Sequence, residues 1–303
     1  MVSIIVVLLP IIAIYATLHI ITLYDYFGNF MKLNAKHLIL DLLLASEDAL
    51  SARDAIAACQ LFALSENSVR VALTRLSAEG LIEAAERGSY QLSATALELA
   101  GDIATWRTAE QRMRAWLGGY LVVFSAGLGR TDRTALRKRE RALHLLGFKE
   151  LEKGLHIRPD NIEDNIDSVR KRLYSLGLER DAAVFSAHDF EPSQQLQIRN
   201  LWDSEALNTR YRQLHQQMST WLERVTTLEP EAAARESFLL GSKAIRQVVF
   251  DPLLPEPFID SAARHAFIDM VRHFDHVGHT IWRQIITHRS DSSKNQAVIG
   301  LTH

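Results

Sequence analysis

Residues 65–82, SENSVRVALTRLSAEGLI, constrain the fold of this chain more than any other stretch. Val69, Ala72, Leu73 and Leu76 recur at helical spacing and form one apolar stripe. Ser65 stands where an N-cap belongs, its hydroxyl able to accept the N–H of Ser68 or a neighbour, and Gly80 supplies the closing glycine. Upstream, residues 34–46 place Ala35, Leu38, Ile39, Leu42 and Leu43 on one helical face. Ser51 then caps ARDAIAACQLFAL, whose Ala55, Ile56, Cys59 and Leu61 to Leu64 would meet that face. Downstream, LIEAAERGSYQLS predicts a strand over residues 81–85, a turn at Glu86-Arg87-Gly88 and a strand through Tyr90 and Leu92. Three compact helices and a hairpin predict a winged helix-turn-helix over residues 31–100.

The polar face of the third helix carries Asn67, Ser68, Arg70, Thr74 and Arg75. A major groove admits one α-helix and offers base-edge donors and acceptors to such side chains. Asn67 and Ser68 would sit deepest, Arg70 and Arg75 would fork onto guanine or phosphate, and Thr74 is short enough for a base edge. Ser65 and the positive helix N-terminus suit a phosphate, and Arg87 at the hairpin tip suits the minor groove or the backbone. Charge argues the other way. Residues 31–100 hold six Lys/Arg against nine Asp/Glu, and the whole chain has a formal charge of −2. Phosphate affinity scales with the cations brought to the backbone, so one such head should bind weakly, and a dimer or basic residues from elsewhere are needed.

Residues 4–23, IIVVLLPIIAIYATLHIITL, hold no Lys, Arg, Asp or Glu and are long enough to cross a bilayer as a helix. No basic residue precedes them, which argues against a secretory signal. Three readings stand: translation that naturally starts at Met31, a membrane anchor, or a core helix. With Lys32 and Lys36 following, an anchored chain would still be cytoplasmic. The single cysteine, Cys59, excludes an intrachain disulfide and fits that compartment.

Further on, Ala94–Trp116, with Trp106 and Trp116, predicts a long bridging helix. GGYLVVFSA, residues 134–146, FKELEKGLHIRP, residues 161–176 and DAAVFSAHDF then alternate as strand, helix, strand or hairpin, helix and strand. That order predicts a ferredoxin-like domain. Its loop GLGRTDRTALRKRER belongs to the most basic part of the chain: residues 106–141 hold nine Lys/Arg and three acids. The Walker A spacing is absent. A solvated turn capped by Thr131 or Asp132, support for a DNA backbone, and a cradle for phosphates all remain open. From Pro192 the pattern is helical, over 201–225, 231–250 and 261–286, with a frayed tail from Arg289. His273, His276 and His279 recur every three residues near Asp269 and Asp275, a spacing common on exposed helices, and no metal site is assigned to them.

SENSVRVALTRLSAEGLIEAAERGSYQLS, LWDSEALNTRYRQL at 201–214 and DPLLPEPF at 251–258 resemble the PaaX-type repressors of phenylacetic acid degradation, in order along nearly the whole chain after residue 30. The resemblance implies a homodimeric repressor released from DNA by an aryl-CoA thioester, phenylacetyl-CoA in the namesake group. It also implies a middle domain akin to the small CRISPR adaptation endonucleases. Those enzymes place a metal-binding aspartate at the end of the first strand, where this chain has Val123-Phe124-Ser125-Ala126 and no carboxylate. The expectation is therefore a non-enzymatic, mostly helical α+β protein without a cofactor. Its parts are an apolar extension (1–30), a winged helix (31–100), a linker helix with ferredoxin-like domain (101–190) and a helical effector and dimerisation domain (191–303). Double-stranded DNA is the expected partner, through Ser65, Asn67, Ser68, Arg70, Thr74, Arg75 and Arg87. An acyl-CoA effector would meet Arg130, Arg133 and Arg137. A metal-dependent nuclease and a membrane-anchored DNA-binding sensor are the alternatives.

Overall fold

The computed structural model describes residues 34–45, 49–86, 88–94, 96, 110–129 and 131–299. They divide into two compact units, Met1–Trp106 with Gln217–Arg246 and Met270–His303, and Arg107–Gln216 with Gln247–Asp269. The apolar segment 4–23, Arg87, Trp106 and Arg130 lie outside the described residues. Among the described residues no helix is long and apolar enough to cross a membrane.

The first unit opens with α1 (Ala35–Ala45), β1 (Leu50–Ser51), α2 (Ala52–Gln60), α3 (Glu66–Ala78), β2 (Ile82–Glu86) and β3 (Ser89–Leu92). The strands form an antiparallel sheet in the order β1-β3-β2, with Leu50 opposite Tyr90 and Ile82 opposite Leu92. Two-residue β1 carries no legible period, which is why sequence patterning misses it. Leu38, Ile39, Cys59, Val69 and Leu76 are fully buried where the helices meet. Burial pushes the Cys59 thiol up to about 12, so it packs as an inert apolar group. Two long helices, α8 (Pro230–Val249) and α9 (Ser261–Ile299), contribute to the same unit. There Phe62 stacks on Trp282 with centroids 6.1 Å apart and meets Phe238 at 4.8 Å. The helix α9 runs on to Ile299, so the expected fraying from Arg289 is corrected.

The second unit runs β4 (Tyr120–Phe124), α4 (Arg133–Leu145), β5 (Lys149–Glu152), β6 (Leu155–Pro159), α5 (Ile166–Ser175) and β7 (Ala183–Ala187). The sheet order is β5-β6-β4-β7, every pair antiparallel, the split-βαβ arrangement of a ferredoxin-like sheet. Leu121 and Val123 face Ala142, Leu143, Val169 and Leu173 in its core. The short α6 (Pro192–Arg199) follows, and α7 (Ser204–Arg224) begins in this unit.

A buried polar clamp holds the 251–258 stretch in this unit. Arg158, 1% exposed, donates to the carbonyls of Leu146 and Pro159 and to Asn161 Oδ1, while Asn161 Nδ2 donates to Leu253 O at 2.8 Å. Asp251 accepts from Tyr211 at 2.6 Å and from the Leu253 N–H at 2.8 Å. Burial raises the Asp251 carboxyl and the Tyr211 phenol alike. Gly147 must be glycine here: its φ is +73°, and a Cβ would stand 2.8 Å from Pro252.

The expected helix up to Trp116 is corrected in its described part. Glu110–Arg112 form only a short 3₁₀ turn, and Met113 bridges Ile162 in antiparallel fashion. The Glu163 N–H donates to Arg112 O and the Arg114 N–H to Asn161 O. Pairing with this segment of the second unit outweighs the helical pattern.

Candidate nucleic-acid interface

Local chemistry fixes both ends of α3. The Ser65 hydroxyl accepts the Ser68 N–H at 3.3 Å and shares a 2.8 Å hydrogen bond with the Ser68 hydroxyl. At the other end Gly80 has φ +68°, the Gly80 N–H donates to Ser77 O and the Leu81 N–H to Leu76 O. That is a Schellman close, with Leu81 and Leu76 both buried. Lys36 ties α1 to the helix end through Glu79 at 2.6 Å.

With Val69, Ala72, Leu73 and Leu76 buried, α3 exposes Ser65, Asn67, Ser68, Arg70, Thr74 and Arg75, all six described members of the expected DNA-reading set. Their polar groups are not equally available. The Ser65 and Ser68 hydroxyls serve the cap. Thr74 donates its hydroxyl back to Arg70 O at 3.0 Å. Arg70 is held by Glu66, which accepts from Nε at 2.9 Å and from Nη2 at 2.6 Å. Both side chains of that pair are more than half exposed, so a phosphate can displace it at small cost. Asn67 and Arg75 make no side-chain hydrogen bond among the described residues.

The composition of the sequence had not singled out three other exposed residues of this head. Arg53 projects from the first turn of α2, Val71 is 40% exposed on α3, and Glu66 neutralises Arg70. An apolar residue off the buried stripe, and a Glu four residues before an Arg, were the available signals. Among the described residues of the hairpin the exposed charges are Glu83, which accepts from Gln91 at 2.7 Å, and Glu86.

In the second unit the basic stretch is partly consumed internally. Asp132 is the cap of α4, accepting from the N–H groups of Thr134 and Ala135 at 2.8 and 3.1 Å. Arg139 is buried and forks onto Glu179 at 2.5 and 3.0 Å. Those hydrogen bonds hold the Glu179 carboxyl below its ordinary value. Arg112 pairs with Glu163, and Arg114 with Asp160. Arg133 and Arg137 stay exposed on α4. Between α4 and the β5–β6 hairpin, beyond the end of β4, lies a cavity of about 270 Å³ lined by Ser125, Leu136, Arg139, Leu143, Lys153 and His156, among others. Burial pushes the His156 imidazole down, and its Nδ1 has no partner. The end of β4 presents Phe124 and Ser125, with no carboxylate. Among the described residues no group of three or more His, Cys, Asp or Glu is placed to hold a metal ion.

Three helices, a hairpin and a polar outward face on the third helix are the arrangement used by helix-turn-helix transcriptional regulators. Comparison with known families matches residues 35–96 to the PaaX-like protein family and residues 202–284 to the PaaX-like protein C-terminal domain. The chain belongs to the PaaX family, whose members are transcriptional regulators rather than enzymes. No curated protein matches it. Among solved structures, an uncharacterized protein, Rv0674, from Mycobacterium tuberculosis is similar over 82% of this chain and 99% of its own, at 22% identity and a TM-score of 0.55. That likeness is one of fold.

Proposed function

We propose that the protein is a repressor of an aromatic-acid catabolic operon, acting as a homodimer on a two-fold operator and released by an aryl-CoA thioester such as phenylacetyl-CoA. The observation that carries the DNA half is the outward face of α3, where Asn67, Arg70 and Arg75 stand exposed opposite the buried stripe. Charge supports the dimer. The head itself has more acids than bases, so a second linked head, or basic residues from elsewhere in the chain, would be needed for a useful affinity.

The effector half rests on the cavity beside α4. Its walls are mixed, with Leu136 and Leu143 against Ser125, Lys153 and His156. A volume of about 270 Å³ suits an aryl-acyl group but not a whole CoA thioester, whose phosphates would stay outside. Arg133 and Arg137, exposed on the same helix, are the cations for those phosphates, with Arg130 three residues earlier in the sequence. Binding there would release DNA by favouring a state whose two heads no longer match the half-site spacing.

A gel-shift titration of the full chain on its own upstream DNA, with and without phenylacetyl-CoA, tests both halves. Retardation that the thioester reverses is the expected result. Retardation that the thioester leaves unchanged removes the effector assignment and keeps the DNA reader. No retardation at low salt removes the repressor reading altogether.

A further inference from the structure

The helix α3 offers more than a generic polar face to a groove. At about 100° per residue, the direction opposite Val69, Ala72, Leu73 and Leu76 is occupied by Asn67, Val71, Thr74 and Ala78. Arg70 lies to one side of that line and Arg75 to the other. A helix about 10–12 Å across fills a major groove about 12 Å wide. Its outward line therefore meets base edges, and its flanks meet the phosphate walls.

That central line is unusually apolar for a DNA-reading helix. Val71 keeps 40% of its surface in solvent. Thr74 donates its hydroxyl to Arg70 O, so its methyl is the side-chain group left without a hydrogen-bonding role. One apolar group projects into the major groove, the 5-methyl of thymine. Val71 and Thr74 are about 4.5 Å apart along the helix axis, between one and two base-pair steps of about 3.4 Å. Asn67, a turn earlier on the same line, has the amide pair that matches the N6 and N7 edge of adenine.

Resting on the DNA-binding reading above, we infer that Val71, backed by the Thr74 methyl, is a specificity-determining residue that reads the 5-methyl groups of thymine at the centre of each half-site. Asn67 reads a neighbouring adenine, and Arg70 and Arg75 position the helix from the backbone. The recognised half-site is centred on A·T pairs. A wrong pair there is rejected chiefly through lost apolar contact.

The test uses the full chain and a pool of random duplexes. Bound duplexes are selected, and each thymine of the selected site is then replaced in turn by deoxyuridine, which keeps every hydrogen bond and removes only the methyl. Affinity is measured for the wild type, Val71→Ala and Val71→Thr. In the wild type one or two central positions per half-site should lose affinity roughly fourfold on losing the methyl, the worth of one buried methyl-sized group. At the Val71 position Val71→Ala should already have lost that factor and show no further loss with uracil, and Val71→Thr should retain sensitivity. Val71 is exposed and alanine is the stronger helix former, so Val71→Ala should melt no lower than the wild type. Selected duplexes whose wild-type affinity ignores uracil at every position, or a Val71→Ala protein that remains fully sensitive, would overturn the inference and leave DNA binding intact. Failure to enrich any duplex would overturn the inference together with the DNA-binding reading beneath it.

Discussion

The outward face of α3 and the clamp around residues 251–258 use the same kinds of side chain to opposite ends. Arg70 is 63% exposed and bonded to a residue four positions away, whereas Arg158 is 1% exposed and shares its network with residues about ninety positions away. On α3 a polar side chain either has no partner among the described residues, as at Asn67 and Arg75, or has one that water or phosphate can replace, as at Arg70. In the clamp, Arg158, Asn161 and Tyr211 each donate to buried oxygens with no substitute. Exposure, more than residue type, separates a group available to a ligand from a group that builds the fold. The 251–258 stretch, quoted for its family resemblance, thereby acquires a structural role: Asp251 and the Leu253 and Leu254 carbonyls are buried acceptors for Tyr211, Asn161 and Arg264.

The strongest way to break this contrast is Arg158→Met. Methionine fills much of the volume but removes the buried donor to the Leu146 carbonyl and Asn161 Oδ1, while the Pro159 carbonyl keeps the Asn161 N–H. The expected loss is about 3 kcal/mol or more of unfolding free energy, read by urea denaturation. A loss below about 1 kcal/mol would mean that the network is dispensable and that Arg158 belongs with the exchangeable arginines.

Much of the scaffold was legible because its signals are local. The Ser65 cap, the 69-72-73-76 stripe and Gly80 specify α3 almost to the residue, and the strand and helix order of the second unit follows its periodicity. What was not legible depends on partners distant in sequence. Nothing near Arg139 in the chain reveals that it turns inward to Glu179, and nothing near Met113 reveals its pairing with Ile162. Val71 is different: composition assigns apolar residues to the core by default, but its place off the 69-72-73-76 stripe already sets it facing outward.

An intermediate case sharpens the comparison. The Arg139–Glu179 fork joins a buried cation to an anion 28% exposed. Because its hydrogen bonds hold the Glu179 carboxyl below the ordinary glutamate value, its contribution is present above about pH 4.3 and lost as pH falls through the lowered native value. Glu179→Gln should therefore cost about 2 kcal/mol at pH 7, and the gap to the wild type should close at acid pH. A gap that persists unchanged at low pH would show that the charge on Glu179 contributes nothing.

The smallest effects belong to α3, and their signs distinguish an interface from a structural pair. Arg75 has no competing partner among the described residues, so Arg75→Ala should weaken DNA binding about tenfold, lower the salt slope by about 1 and leave stability unchanged. Glu66 should do the reverse. It stands in the first turn, where a carboxylate favours the helix dipole, and it holds Arg70. Glu66→Gln should thus cost about 0.5 kcal/mol of stability while raising DNA affinity about twofold, because it removes a negative charge and releases a guanidinium toward phosphate. If affinity and stability fall together in Glu66→Gln, the ion pair is part of the folded head, and Arg70 does not reach DNA.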